Sequence, residues 1–483
     1  MLQEAEQAGT WAQLGDRRTN PFIRTRQRRN FDRRGAYRIG LNTLTFIHEG
    51  DEVFYGALKD ISDTGARIEM DRAPGNGASL FTMGVPFLSN KKLACKRVWS
   101  DKSDDGGCGQ YGVSFLDLSM QERSEMRKRF LLNEPLLLSH AEAAARRASD
   151  HAAVTEIKTF FMIDVRLALE SLIDIDIMIS QGQPGELIQA ECTTALDSLV
   201  EAGDRLESCL DNPSLNSDIK NRVRLLLGHF IYQSAVFKRG FEKPHGYPGD
   251  FKMLEGVYNN RELSSGIGQY IDRYGLDVPY AVAIRRRKDK MRDILYDFIE
   301  AGREQPLHII NLASGACRDI REMFRRPLNH PSSVTITCID QDPIALEYSR
   351  QTLSEISTGN IHVELVQGNI LRLEALDLGP DGSVDMIYSI GIADYLQDRM
   401  LKKIFSDSYA KLKAGGKLVV AYKDKDSHRP IALNWYGDWY FIPRNEDELI
   451  RLINASMGSE NISISIEREE SGVIFFAIIT KIK

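Results

Sequence analysis

Two short elements near the N-terminus carry side chains suited to gripping a nucleotide. In Arg33-Arg34-Gly35-Ala36-Tyr37-Arg38, Arg34 and Arg38 stand four apart, just ahead of a strand-like run from Leu41 to Ile47. Planar guanidinium groups so placed fork onto phosphate oxygens or stack on purine faces, and both chemistries suit a guanine nucleotide. Further on comes Asp60-Ile61-Ser62-Asp63-Thr64-Gly65. Here Asp60 could accept from a guanine edge and Ser62 could donate to phosphate, while Gly65 would permit a tight backbone turn. The flanks, Val53 to Ile61 and Arg67 to Met70, have strand composition, which sets the element at a hairpin.

A second group of chemistry-bearing residues lies in the C-terminal half. Asn311-Leu312-Ala313-Ser314-Gly315-Ala316-Cys317-Arg318-Asp319 is a small-residue turn between a strand-like run and a helix expected over Ile320 to Phe324. Small side chains there let a cofactor approach the backbone. The next run ends at Asp340 and Gln341, where a carboxylate could accept both hydroxyl protons of a ribose. A third ends at Gln367-Gly368-Asn369-Ile370, with Asn369 placed to face an adenine edge, and a fourth leads through Ser389 to Asp394-Tyr395. Ahead of them all, Lys243-Pro244-His245-Gly246-Tyr247-Pro248-Gly249-Asp250 mixes rigid and permissive backbone and reads as a shaped loop. His245, Tyr247 and Tyr395 are the candidate catalytic residues, with Arg318 able to orient a carboxylate and Tyr436 to line an acceptor pocket. Arg285-Arg286-Arg287-Lys288 reads as a solvated helix face.

The elements that position these residues follow from periodicity. Beyond Pro306, strand-length apolar runs (Leu307–Leu312, Val334–Ile339, His362–Val366, Val384–Ile390, Lys417–Tyr422) alternate with amphipathic helices, as in βαβ units around a parallel sheet. Two last runs, Ile462–Glu467 and Gly472–Thr480, are expected to close that sheet as an antiparallel pair. In the middle of the chain the period is helical, beginning with an alanine-rich helical linker at 140–147. Phe161, Val165, Leu169, Leu172 and Ile175 form one stripe; Ile188, Cys192, Leu196 and Leu199 a second; Ile219, Val223, Leu226 and Phe230 a third. Breaks at Gln181–Gly185 and Asp211–Ser214 separate them, so a helical bundle of core-packing helices is expected.

Composition narrows the class. A chain of 483 residues holds two or three domains. Its net charge of -6 contrasts with the arginine-dominated stretch from Arg17 to Arg38, which lacks a groove-reading helix and so fits a nucleotide-wrapping arm better than a nucleic-acid grip. The 6 cysteines lack CxxC spacing and the 9 histidines form no HExxH cluster, so reduced thiols and no metal are expected. No apolar run suggests a membrane span or a signal-peptide core, and a cytoplasmic location is expected.

Arg34 with Arg38, and Asp60 with Ser62 and Gly65, resemble the RxxxR and [D/N]xSxxG signatures of PilZ domains, and Cys95–Trp99 and Tyr111–Phe115 resemble that family's closing strands. The resemblance implies a β-barrel that binds cyclic di-GMP through Arg33, Arg34, Arg38, Asp60, Ser62 and Gly65. The series from Asn311 onward resembles class I S-adenosylmethionine-dependent methyltransferases, a Rossmann-like α/β fold. That resemblance implies S-adenosylmethionine held by Asn311, Ala313, Ser314, Gly315, Arg318, Asp340, Gln341, Asn369, Ile370, Ser389 and Asp394. Asn311 replaces the acidic residue usual at that position. Lys243–Asp250, Asn311–Asp319, Asp394-Tyr395 and Trp435–Trp439 further resemble a bacterial family associated with synthesis of 3-hydroxypalmitic acid methyl ester, which implies a small-molecule carboxylate acceptor such as a hydroxy fatty acid. The expected layout is a basic arm (1–29), a PilZ domain (30–135), a helical linker or cap (136–240) and a methyltransferase domain (241–483), with a homodimer as an open option. The expected function is cyclic di-GMP-regulated methyl transfer. The rival is a non-catalytic sensor of both ligands that signals through a protein partner, and nucleic-acid methylation is the third alternative.

Overall fold

In the computed structural model the described residues are 39–71, 74, 80–84, 92–101, 109–302, 305–326, 332–354 and 360–482. They group into two compact units, one of residues 39–238 with 262–274, the other of 239–261 with 275–482. The arm over 1–29, with Arg33, Arg34 and Arg38, lies outside the described residues.

The first unit opens with six strands: β1 (Ile39–Glu49), β2 (Glu52–Ile61), β3 (Gly65–Met70), β4 (Leu80–Gly84), β5 (Lys92–Asp101) and β6 (Gly109–Phe115). They close into an antiparallel barrel in the order β1-β2-β3-β6-β5-β4, with β4 pairing back onto β1. Alternate residues face inward, so Ala66, Ile68 and Met70 meet Phe81, Met83, Leu93 and Tyr111 in one buried cluster. A capping box, Ser119 with Glu122, starts α1 (Met120–Leu131).

Helices α2 (Glu134–Ala145), α3 (His151–Thr159), α4 (Arg166–Ser180), α5 (Gly185–Leu210), α6 (Pro213–Ile231) and α7 (Ala235–Glu242) follow. α3 continues into α4 through one π-helical segment, Phe160–Val165. All three predicted stripes are buried, since they form the inward faces of these helices. Both predicted breaks fall between helices: Asp211 takes a left-handed φ of 39° after α5, and the Asn212 side chain caps α6 by accepting from the Leu215 N–H.

After α8 (Phe251–Asn259), α9 (Ile267–Asp277) and α10 (Pro279–Ala301) come β7 (Leu307–Leu312), α11 (Arg318–Met323), β8 (Val334–Asp340), α12 (Pro343–Ser354), β9 (Ile361–Gln367), β10 (Val384–Ser389), α13 (Asp398–Lys411), β11 (Leu412–Lys423), α14 (Ile431–Gly437), α15 (Glu446–Met457), β12 (Ile462–Arg468) and β13 (Ile474–Lys481). The strands form one sheet in the order β12-β13-β11-β10-β7-β8-β9. β7 to β11 are mutually parallel, and β13 runs antiparallel to both β11 and β12. The expected antiparallel pair at the sheet's end is formed by β12 and β13. β12 shares the direction of the parallel strands, and only β13 is reversed, inserted between β11 and β12. The reason is connectivity: the α15 crossover brings β12 back parallel, and the tight turn after it, with Gly472 at φ 76°, drops β13 into the gap.

Strand order reverses at β7 and β10, because the chain winds outward from β7 through β8 to β9 and in the opposite sense from β10 to β11. A crevice at the carboxyl ends of such strands is where open α/β sheets bind ligands.

Candidate functional site

The barrel loop after β2 is held by its own serine. Ser62 is buried, and its hydroxyl donates to the Gly65 carbonyl (3.1 Å) while accepting from the Gly65 N–H (3.2 Å). The Ser62 N–H also donates to the Gly65 carbonyl at 2.7 Å. The group expected to donate to phosphate is thus occupied in closing the turn. Asp60 lies 2.7 Å from the Arg67 guanidinium. Gly65 differs from expectation in its physical reason. It does not take a left-handed conformation; a Cβ there would run into the Val113 carbonyl of β6, so glycine is required for close strand approach.

A residue missed by sequence reasoning ties this loop to the helices of the same unit. Asp63 is buried and accepts from Arg127 Nε at 2.7 Å, while the Asp63 carbonyl accepts from Arg123 at 3.1 Å. Arg127 Nη1 in turn pairs with the buried Asp176 of α4, and His229 of α6 stands 3.7 Å from Asp63 Oδ2. The signal available in the sequence was a second aspartate inside the motif.

At the carboxyl ends of β7, β8 and β10 lies a cleft of about 610 Å³. Ala313, Gly315, Asp340, Gln341 and Ile370 of the predicted cofactor set line it, as do the predicted catalytic Tyr247 and Tyr395. Its floor is strained backbone: Ala313, Gly315 and Cys317 all take left-handed φ values, 55°, 53° and 49°. Such a path keeps the side chains short over the floor, and its N–H groups are taken within the protein: Ser314 donates to the Ile339 carbonyl, Gly315 to Asp340 and Cys317 to the Ser314 carbonyl. The Ser314 Oγ is buried without a hydrogen-bond partner. Asp340 fastens the floor, accepting from the Gly315 N–H (2.7 Å) and the Asp342 N–H (2.9 Å). Burial raises its carboxyl above the ordinary range despite those bonds.

The segment ahead of α8 covers one side. Asp250 caps α8 by accepting from the Met253 N–H (2.9 Å) and is held by Arg239 at 2.9 Å. That cap delivers Phe251 and Leu254, which line the cleft unpredicted, together with Gly249, Gly368, Gly391 and Ile392. A Cβ on Gly249 would crowd the Tyr395 hydroxyl at 3.0 Å and Trp439 at 3.1 Å, which explains the glycine. Tyr395 is fixed by accepting from the Trp439 indole N–H at 2.8 Å. Burial raises the Tyr247 and Tyr395 phenols far above their usual range, so both stay protonated.

The other predicted residues lie outside the cleft lining. Asn311 is buried in β7. Ser389 donates to the Leu312 carbonyl at 3.0 Å, and Asn369 accepts from the Leu371 N–H at 2.9 Å as a cap. Arg318 is engaged by Glu322 (2.6 Å) and Glu255 (2.9 Å). Asp394 accepts from the Lys423 N–H at 2.9 Å and from the Tyr280 hydroxyl at 3.3 Å, deep in the protein, where burial raises its carboxyl. His245 Nδ1 stands 2.7 Å from Asp342. Tyr436 is buried in packing. The basic run at 285–288 is corrected: Arg287 and Lys288 are buried, the former 3.9 Å from Asp394 and the latter paired with Glu322. Their periodicity turns them onto the face of α10 that packs on the unit.

Fold and site together define two kinds of module, a closed barrel with a polar loop after β2 and a doubly wound sheet with a cleft at its switch point. Residues 27–132 match the family model of the PilZ domain, and residues 309–416 match that of a methyltransferase domain. The chain therefore joins a PilZ β-barrel, a helical middle and a methyltransferase domain. No curated protein matches it. Solved structures with similarity include a possible exported protein from Bordetella parapertussis (15% identity, TM-score 0.40, 60% of this chain and 97% of that one). The N-methyltransferase NodS from Bradyrhizobium japonicum WM9 has 13% identity and TM-score 0.29, over 41% of this chain and 97% of its own. Magnesium protoporphyrin IX methyltransferase from Synechocystis PCC 6803 has 12% identity and TM-score 0.32, over 48% and 97%.

Proposed function

We propose that the chain is a class I S-adenosylmethionine-dependent methyltransferase that binds cyclic di-GMP and methylates a carboxylate on a small molecule such as a hydroxy fatty acid. The observation that carries this reading is the chemistry of the cleft. Its titratable lining side chains are Tyr247, Tyr395 and Asp340. The phenols remain protonated, and the carboxylate is committed to two backbone N–H groups. A lining whose phenols hold their protons and whose carboxylate is committed to fastening the floor suits an acceptor that is already nucleophilic.

The cradle fits the cofactor. The left-handed Ala313–Gly315 backbone, the unpartnered Ser314 Oγ and the remaining lone pairs of Asp340 offer small-residue approach, a hydroxyl and an acceptor for ribose. When bound, S-adenosylmethionine would supply an electrophilic methyl group. Tyr247 and Tyr395 would orient the acceptor by donating hydrogen bonds, and Phe251, Leu254 and Ile392 would exclude water.

Cyclic di-GMP binding rests on the PilZ match and on the loop Asp60–Gly65. Regulation rests on the Asp63–Arg127–Asp176 bridge, which gives the loop a direct mechanical tie to α4. A nucleotide acts on an equilibrium only through unequal affinity for its two states, and reordering this bridge would supply the inequality.

Asn311, in the place of an acidic residue, favours one second reading, a non-catalytic sensor. Calorimetry with S-adenosylmethionine and its demethylated product, joined to transfer of labelled methyl to 3-hydroxy fatty acids with and without cyclic di-GMP, separates the two. Turnover that responds to nucleotide is expected. Binding without turnover across carboxylate acceptors supports the sensor, and no cofactor binding overturns both.

A further inference from the structure

The methyltransferase unit contains a second cavity, partly open to solvent, that shares no lining residue with the cofactor cleft. It lies beyond the end of β11. Lys423, Lys425, His428 and Arg429 supply its basic lining, and Phe441 and Pro443 supply apolar lining. Tyr395 and Phe441 stand between the two cavities, with ring centroids 5.4 Å apart.

Lys423 is the informative residue. Its side chain is buried, with 5% of the residue's surface exposed, yet its ammonium makes one hydrogen bond, to the His428 carbonyl at 2.8 Å. No carboxylate among the described residues forms an ion pair with it. The two nearby acids are committed elsewhere. Asp394 receives the Lys423 backbone N–H and the Tyr280 hydroxyl, and Asp424 receives Arg468 at 2.7 Å and the Asp426 N–H at 3.0 Å. The ammonium stands 6.0 Å from the centre of the Tyr280 ring and 5.9 Å from that of Phe441. Burial lowers the pKa of Lys423, outweighing the pull of Asp394 and Asp424. An ammonium held by one carbonyl and two ring faces keeps two N–H donors for whatever fills the cavity, and an anion is the partner that best completes it. His428 adds ring nitrogens to the same cavity, and burial and Lys423 lower its pKa, so it remains a neutral hydrogen-bonding partner at neutral pH.

We propose that this cavity is an anion-binding site, distinct from the cofactor cleft, in which Lys423 anchors a carboxylate or phosphate group and Phe441 and Pro443 pack against the apolar body that carries it. The inference concerns binding alone and stands whether or not the neighbouring cleft transfers methyl groups.

The test uses the full chain and three probes in calorimetry: hexanoate, inorganic phosphate and 1-hexanol. Hexanoate or phosphate should bind, and hexanol, which has the tail without the charge, should bind at least about tenfold more weakly. Saturable hexanoate binding marks an organic carboxylate as the ligand class, and saturable phosphate binding marks a phosphoryl group. K423M should weaken the anion at least about tenfold while leaving S-adenosylmethionine affinity unchanged, and K423R should retain much of it. Hexanol binding as well as hexanoate, anion binding untouched in K423M, or no anion binding at all would each overturn the proposal. If K423M does not fold, K423Q makes the same comparison, and anion binding that neither substitution weakens would overturn the proposal.

Discussion

The barrel loop and the methyltransferase cleft are both built around a buried aspartate, but the two aspartates work by different physics. Asp63 is held by a guanidinium that reaches on to a second carboxylate, Asp176, so its position depends on charges from separate elements. Asp340 is held by two backbone N–H groups next to it on the carboxyl side of β8 and in the turn after β7. The first arrangement is made of side chains, which repartner when a competing charge reaches them. The second is preorganised, since its donors are part of the chain path and cannot swing away.

The strongest way to break the comparison is Arg127→Met. It should leave Asp63 and Asp176 buried without their cation and destabilise the first unit by about 3–5 kcal/mol in denaturant titration. A loss under about 1 kcal/mol would mean the bridge is not an energetic link. Next, Asp340→Ala removes the fastener of the cleft floor and the group assigned to ribose, and should weaken S-adenosylmethionine binding by about 2–3 kcal/mol in calorimetry. Unchanged affinity would remove Asp340 from the site.

Gly65→Ala sharpens the contrast from the steric side. A methyl group meeting the Val113 carbonyl should cost about 1–3 kcal/mol of stability, read as a lower melting temperature. If glycine served only turn flexibility, the cost would be smaller. Tyr395→Phe keeps the ring and removes the acceptor of the Trp439 indole N–H, so about 1 kcal/mol of stability should go, with methyl transfer, where measurable, reduced more than cofactor affinity.

Much of the fold was legible in the chain. β7 runs over Leu307–Leu312 as its apolar run predicts, and the helix breaks at Gln181–Gly185 and Asp211–Ser214 each pair a left-handed residue that ends one helix, Gly182 and Asp211, with a proline where the next begins, Pro184 and Pro213. The position of β13 was not legible, because two adjacent strands pair antiparallel whichever of them lies next to β11. Within the site, Ala313, Gly315 and Asp340 were legible, since close approach to a backbone demands small residues and a strand's carboxyl end is a fixed place. Phe251 and Leu254 were not, as an aromatic and a leucine at a helix start look like ordinary core.

The sequence by itself determined the modules: a PilZ-like motif at a hairpin, helices of fixed hydrophobic period, and alternating strands with small-residue turns. These depend on local spacing, which a linear pattern records. Only the tertiary structure decided that Arg318 and Asp394 are taken by structural partners, that Arg127 bridges Asp63 to Asp176, and that Lys423 is buried with one carbonyl for company. A charged side chain's role depends on which opposite charges reach it, and those come from segments far away in the chain.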